Sequence, residues 1–182
     1  MRIIAGKAGR IAIKVPSAVA RPTTDFVRQA LFNIICERVE NAKILDLFAG
    51  SGALGLEALS RGAAHCTFID QHRQAITIIN ENLAKARLDG GHAVKSEVNA
   101  FLKRDAASYD LIFADPPYWK FYGDQDHITE LLTSGLIAPR LKPGGWLVGE
   151  ISSHQKSPET EDFTLVTRRE YGSSAILIYL KK

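Results

Sequence analysis

Several things are scarce in this chain of 182 residues: it has two cysteines, one methionine, seven prolines and a net charge of only +3. Cys36 and Cys66 are far apart and form no Cys-x-x-Cys pair. That excludes a disulfide scaffold and reads as two buried thiols in a reducing compartment, by default the cytoplasm. No apolar run approaches the roughly 18 residues a membrane span needs, so no membrane association is expected. Met1-Arg2-Ile3-Ile4-Ala5-Gly6 is too short an apolar stretch for a secretory leader. His65, His72, His92, His127 and His154 are scattered without ligand spacing, so no metal is expected. Internal repeats and low-complexity tracts are missing too. With 46% hydrophobic and 24% charged residues, the chain can bury one real core but is too short for two full-sized domains.

Acid is missing from one stretch in particular. Residues 1–24 carry Arg2, Lys7, Arg10, Lys14 and Arg21 and no carboxylate, while the remainder is close to neutral. A basic arm on a near-neutral body is an electrostatic handle for phosphates, and Lys7, Arg10, Lys14 and Arg21 are its candidate ligands. A merely solvated hairpin explains the same composition.

Ile3-Ile4-Ala5 and Ile11 to Val15 flank the turn Gly6-Lys7-Ala8-Gly9 and predict a β-hairpin. Thr23 and Thr24 offer a helix cap, and Val27, Ala30, Leu31, Ile34 and Ile35 recur at helical spacing, predicting a helix over about 25–39. From residue 43 short apolar strands alternate with helices. Strands are predicted at 44–47, 66–70, 92–94, 109–114 and 146–149, and a closing hairpin at 163–170 and 175–180. Helices are predicted near 54–60, after Asp70 (Ala75, Ile76, Ile79 and Leu83 on one face), near 99–104 and near 127–134. The alternation argues for a Rossmann-like α/β fold: a seven-stranded, mostly parallel sheet with an antiparallel C-terminal hairpin, preceded by a β-hairpin and helix. Residues 1–42 are read as a basic extension and 43–182 as the main domain.

Gly50-Ser51-Gly52-Ala53-Leu54-Gly55 fits G-x-G-x-x-G between a strand and a helix, where glycines let backbone approach a ligand, and Asp70 falls where an acid grips ribose hydroxyls. The pattern alone does not separate a dinucleotide from S-adenosylmethionine. Asp46, four residues before Gly50, favours the latter. A pyrophosphate gains nothing from a nearby carboxylate, whereas an ammonium and a sulfonium are attracted by it. A structural Asp capping the loop is the plainer alternative. Asn99 follows the third strand, where its amide could reach an adenine edge or could simply cap a helix.

Asp115-Pro116-Pro117-Tyr118 ends the strand Leu111-Ile112-Phe113-Ala114. An exocyclic amine on a nucleobase is a poor nucleophile, because its lone pair is delocalised into the ring. A site that accepts both amine hydrogens favours pyramidal nitrogen and aims the lone pair outward. Asp115 can accept one and the Pro116 carbonyl the other, held by the restricted Pro-Pro backbone, while Tyr118 offers a stacking surface. Trp119-Lys120-Phe121-Tyr122 could form a lid over RNA or pack back on the domain.

Asp46-Leu47-Phe48-Ala49-Gly50-Ser51-Gly52 with Asp115-Pro116-Pro117-Tyr118 resembles the amino-group branch of class I S-adenosylmethionine-dependent methyltransferases. Met1-Arg2-Ile3-Ile4-Ala5-Gly6, Gly9-Arg10, Arg21-Pro22-Thr23-Thr24-Asp25 and Ala30-Leu31-Phe32-Asn33-Ile34 narrow the resemblance to the RsmD family of bacterial 16S rRNA guanine-N2 methyltransferases. The resemblance implies a cytoplasmic enzyme, monomeric by expectation, that methylates one guanosine amine in 16S rRNA of an assembled or nearly assembled small subunit. It implies that Asp46, Phe48, Ala49, Gly50 and Gly52 hold the methionine end of the cofactor, Asp70 the ribose and Asn99 the adenine. It also implies that Asp115 to Tyr118 hold the base. Three positions depart from the pattern: Asp70 where Glu is usual, Asn99 where Asp is usual, and Phe26 where Arg is frequent, which removes one phosphate contact. The rival readings are amine methylation of adenine in nucleic acid or of glutamine in protein, an NAD-dependent oxidoreductase, and a non-catalytic RNA-binding module.

Overall fold

β-Branched and aliphatic runs that are apolar on both faces belong in strands covered on both sides, and two of them occupy the middle of the sheet. The computed structural model describes residues 1–16, 24–116 and 126–182. Arg21, Pro117, Tyr118 and the Trp119 to Tyr122 segment lie outside these. Strands β1 (Lys43–Leu47), β2 (His65–Asp70), β3 (Gly91–Lys95), β4 (Tyr109–Ala114), β5 (Leu141–Ser152), β6 (Phe163–Tyr171) and β7 (Ser174–Lys181) form one sheet in the order β3-β2-β1-β4-β5-β7-β6. The first five run parallel; β7 pairs antiparallel with both β5 and β6. The strand order reverses between β1 and β4, which opens a crevice at their carboxyl ends where ligands of such sheets bind.

Helices cover both faces. On one lie α1 (Asp25–Ile34), α2 (Ala53–Ser60) and α3 (Arg73–Ala86), burying Leu31, Phe32, Leu56 and Ile79 against Ile44, Phe68 and Phe113. On the other, α4 (Val98–Arg104) and α5 (His127–Thr133) bury Leu102, Ile128 and Leu132 against Leu45, Ile112 and Leu147. The first helix is shorter than predicted. It is capped by Thr24, whose hydroxyl accepts from the Val27 N–H at 3.3 Å, and it stops at Ile34 before a 3-10 turn, Cys36–Arg38. That turn leaves Cys36 exposed, so only Cys66 is the buried thiol expected of both. The turn Lys142-Pro143-Gly144-Gly145 falls inside β5 as an irregularity: Tyr109 pairs with Leu141, but Leu111 pairs with Trp146.

The N-terminal hairpin closes through the Arg2–Ala12 bridge, with Ile3 N–H donating to the Ile11 carbonyl and Ile13 N–H to the Met1 carbonyl, and other backbone groups of it bond to helices. The carboxylate of Glu57 on α2, fully buried, accepts from the N–H groups of Ile4 (2.6 Å) and Ala5 (3.1 Å). The Ser60 hydroxyl accepts from Ala8 N–H at 2.9 Å and donates to the Ala5 carbonyl at 2.5 Å; the Ser60 carbonyl accepts from Lys7 N–H at 2.8 Å. Gly6 is required there, since its φ is +80° and a Cβ would lie 1.9 Å from the Ser60 carbonyl oxygen. Ile3, Ala8 and Ile13 are buried in the core that α1 and α2 share.

Candidate functional site

The site is built at the carboxyl ends of β1, β2 and β4. Parallel pairing of β1 with β4 sets Leu47 opposite Ala114, so the next residues on each strand, Phe48 and Asp115, emerge side by side, about one strand spacing (~4.8 Å) apart. The glycine turn and the Asp-Pro pair are therefore neighbours. Asp115 is half-buried and Pro116 is buried.

The turn is under backbone constraint. Phe48, Gly50 and Gly52 all have left-handed φ, at 58°, 55° and 77°. Glycine tolerates this, but an aromatic residue does so only when its surroundings hold it, a kind of local strain that concentrates at functional sites. The Phe48 ring packs against that of His127 with centroids 5.4 Å apart. Ala49 donates its N–H to the Ile69 carbonyl at 2.9 Å, tying the turn to β2. The glycines divide their duties: a Cβ on Gly52 would come within 3.1 Å of Ile79, and one on Gly55 within 2.2 Å of the Phe68 ring and 2.5 Å of Cys66 Sγ. Gly55 therefore serves close helix–strand packing rather than ligand approach.

Asp46 is 2% exposed, and its Oδ2 accepts from the Gly55 N–H at 3.0 Å. This is the capping geometry that the sequence left open beside the cation-binding one. Burial pushes its carboxyl well above the usual carboxylate range; the Gly55 N–H opposes this, and the charges of Asp115 and Asp70 push it further up. Asp70 is also engaged, accepting from Gly50 N–H at 2.9 Å and from His72 N–H at 2.8 Å, with His72 Nδ1 3.1 Å from Oδ1. Its carboxylate has four lone-pair directions, so these contacts do not exhaust it. Asn99 is exposed as the second residue of α4. The cap there is Glu97, which accepts from Asn99 and Ala100 N–H at 2.9 and 2.8 Å, so the helix-cap alternative for Asn99 is overturned.

On the arm, Lys7 and Arg10 are exposed, and Arg10 has φ 73°. Lys14 instead directs its ammonium to Glu81 at 2.7 Å. Sequence reasoning missed what binds this arm to the glycine turn. Asn82 of α3, fully buried, accepts from Lys14 N–H at 2.8 Å and donates to the carbonyls of Lys14 and Ser51, both at 3.0 Å. An Asn within an apolar helical stripe was the available signal. Glu150, buried on β5 one residue beyond the Gly149–Ala114 pair, is a further acid at this end of the sheet, and sequence reasoning did not single it out. Among the described residues no group of three His, Cys, Asp or Glu is placed to hold a metal, and no helix is long and apolar enough to cross a membrane.

A reversed parallel sheet, a glycine turn after β1, an acid ending β2 and Asp-Pro ending β4 define a class I methyltransferase. Residues 1–180 match the family described as Conserved hypothetical protein 95, and the chain belongs to this family, that of the RsmD proteins. YlbH of Bacillus subtilis is 37% identical over 189 residues, covering 100% of both chains. Ribosomal RNA small subunit methyltransferase D of Escherichia coli is 41% identical over 119 residues, which span 65% of this chain and 60% of that protein. Among solved structures, yhhF of E. coli superposes with a TM-score of 0.85 at 31% identity, covering 100% of this chain and 98% of that one. SMU.776, solved with SAH, shares the fold alone, with a TM-score of 0.66 at 15% identity over 81% of this chain and 48% of that one. The chain is thus a methyltransferase, and the oxidoreductase reading falls away.

Proposed function

We propose that this enzyme transfers a methyl group from S-adenosylmethionine to the exocyclic N2 amine of a guanosine in 16S rRNA of the small ribosomal subunit, in the cytoplasm. The observation that carries this reading is the β1–β4 register, which brings Asp115 and Pro116 beside the glycine turn. The residues present fit the cofactor: Asp70 and Asp115 stand at the carboxyl ends of the two strands that flank β1, with Asp46 on β1 between them, a grouping of acids that favours a cation. The backbone of Phe48, Ala49, Gly50 and Gly52 would hold its methionine end, Asp70 its ribose and Asn99 its adenine. When bound, it supplies a methyl carbon made electrophilic by a sulfonium.

The protein's own share is positioning. The Asp115 carboxylate accepts one hydrogen of the target amine and the Pro116 carbonyl the other. Two acceptors on one –NH2 turn its lone pair toward the crevice, and Asp115 is placed to take the proton the amine must shed. Pro117 stiffens this backbone and Tyr118 stacks the base. Holding both reactants in register can supply much of the acceleration for an in-line displacement. Lys7, Arg10 and Arg21 contact rRNA phosphates, with Lys14 contributing once it leaves Glu81; the arm of residues 1–42 is in this sense an RNA-docking extension of the 43–182 domain. The substrate named for the E. coli relative, small-subunit rRNA, supports the choice of RNA.

The test offers labelled methyl donor with small subunits, naked rRNA, DNA and protein, and maps the product by mass spectrometry. N2-methylguanosine in 16S rRNA is expected, falling roughly 10²-fold or more for Asp115→Asn. Label in DNA or protein alone would overturn the reading.

A further inference from the structure

Phe26 is the most exposed large hydrophobic among the described residues, at 71%, yet it stands in the first turn of α1 rather than on a loop tip. Its ring meets that of Tyr171 in a T-shaped contact, centroids 6.1 Å apart at 79°. Tyr171 ends β6 and pairs with Ser174, and Ser174 pairs with Ser152, the last residue of β5. Because β5 runs parallel to β4, that end of the sheet is the one from which Asp115 emerges. The aromatic pair therefore stands at the same end of the sheet as Asp115, on the α1 side, where Tyr171 packs against the core, and on the outer strand β6, three strand positions (~14 Å) from β4.

The charges around it can be named. Asp25, beside Phe26, is taken up by Arg28 at 3.1 Å and Arg2 at 3.6 Å. Glu170 points to the opposite face from Tyr171 by strand alternation and pairs with Arg168 at 2.9 Å. Arg169, two residues before Tyr171 and hence on its face, is exposed and makes no ion pair among the described residues. One ring is far too small a patch for a stable protein interface, which needs hundreds of Å² of contiguous contact. It is the right size for one nucleobase, and a cation beside it suits the attached phosphate.

We propose that Phe26, braced by Tyr171, is a stacking platform for an unpaired rRNA nucleotide a few positions from the target guanosine, with Arg169 at its phosphate. The inference rests on the rRNA reading above. It also gives a role to Phe26 where the resembling family often carries Arg: a stack in place of an ionic contact.

The experiment measures binding of the full-length protein to small subunits from cells lacking this enzyme, across a salt series, alongside cofactor affinity and methyl transfer. Phe26→Ala is expected to weaken subunit binding about 5- to 150-fold, the range of one base–aromatic stack, with unchanged cofactor affinity and an unchanged salt slope. Arg169→Ala should flatten the slope by about 0.7, and Phe26→Trp should retain binding. Wild-type affinity in Phe26→Ala would overturn the platform, as would full rescue by Phe26→Leu, which points to an apolar contact with a ribosomal protein. If the wild-type chain methylates no small subunit at all, the rRNA reading fails instead, and the two failures are separate.

Discussion

Asn82 joins the basic arm to the glycine turn, and its removal should be felt at both. Three backbone groups depend on its side chain: the Lys14 N–H, the Lys14 carbonyl and the buried Ser51 carbonyl. Asn82→Ala leaves all three without that partner and opens a small void in a fully buried position. An orphaned buried polar group costs about 1–3 kcal/mol. Water can re-solvate the groups on exposed Lys14, so these fall at the low end, and a total of roughly 3–5 kcal/mol is expected. Asn82→Asp is the sharper variant because its shape is unchanged: it still accepts from Lys14 N–H but sets an oxygen against two carbonyls. Urea unfolding should show a comparable loss for both variants at neutral pH. Because Ser51 lies between the two left-handed glycines, calorimetry should show cofactor binding weakened roughly tenfold, about 1.4 kcal/mol. Loss of less than about 1 kcal/mol in both variants, with unchanged cofactor affinity, would refute the coupling.

Gly55→Ala should destabilise by about 1–3 kcal/mol despite alanine's better helix propensity, since the added Cβ meets Phe68 and Cys66 in the core; a urea midpoint at or above wild type would contradict this. Asp46 holds its proton to higher pH in the folded chain than in the unfolded one, chiefly through burial. Its stabilising contribution is therefore complete below about pH 4 and is lost as pH rises through the raised folded value. Asp46→Asn cannot ionise, so its stability relative to wild type should grow with pH over that interval, and parallel curves would show that Asp46 titrates normally. A cationic cofactor favours the ionised form of Asp46, so its affinity should rise with pH across the same interval, which calorimetry over a pH series would detect; a flat profile would refute it.

The parallel sheet was legible because its strands are apolar on both faces and end in residues of unusual chemistry. Asp46, Gly50, Asp70 and Asp115 could be placed at strand ends from spacing alone, and the β1–β2 and β1–β4 registers bring them together. What each carboxylate touches was not legible. Nothing in the spacing says that Asp46 meets Gly55 N–H or that Asp70 holds Gly50 N–H, since both contacts depend on how tightly α2 seats on β1 and β2. Phe26 carried a signal only as a departure from the family pattern; its exposure and its contact with Tyr171 depend on the fold. The end of α1 at Ile34 was hidden by Ile35, which fits the helical spacing but whose φ of −96° and ψ of 9° leave the helix.

The basic hairpin shows where pattern reading stops and why. As a charge profile it is an arm; in the fold residues 4–14 are bolted to two helices by polar side chains that break those helices' apolar faces. Glu57 and Ser60 on α2 and Asn82 on α3 are buried and hydrophilic, a combination that is unfavourable unless each is fully bonded. Their partners are backbone groups of residues 4–14, some 50 to 70 positions away in sequence, so no local window contains both halves of the interaction. A buried Glu, Ser or Asn at a helical core position is therefore a statement about a missing backbone segment. Here three such residues specify the same segment, and one of them also reaches the carbonyl of Ser51. An rRNA contact made by Lys7 or Arg10 would thus fall on a hairpin whose other end is hydrogen-bonded through Asn82 to the glycine turn.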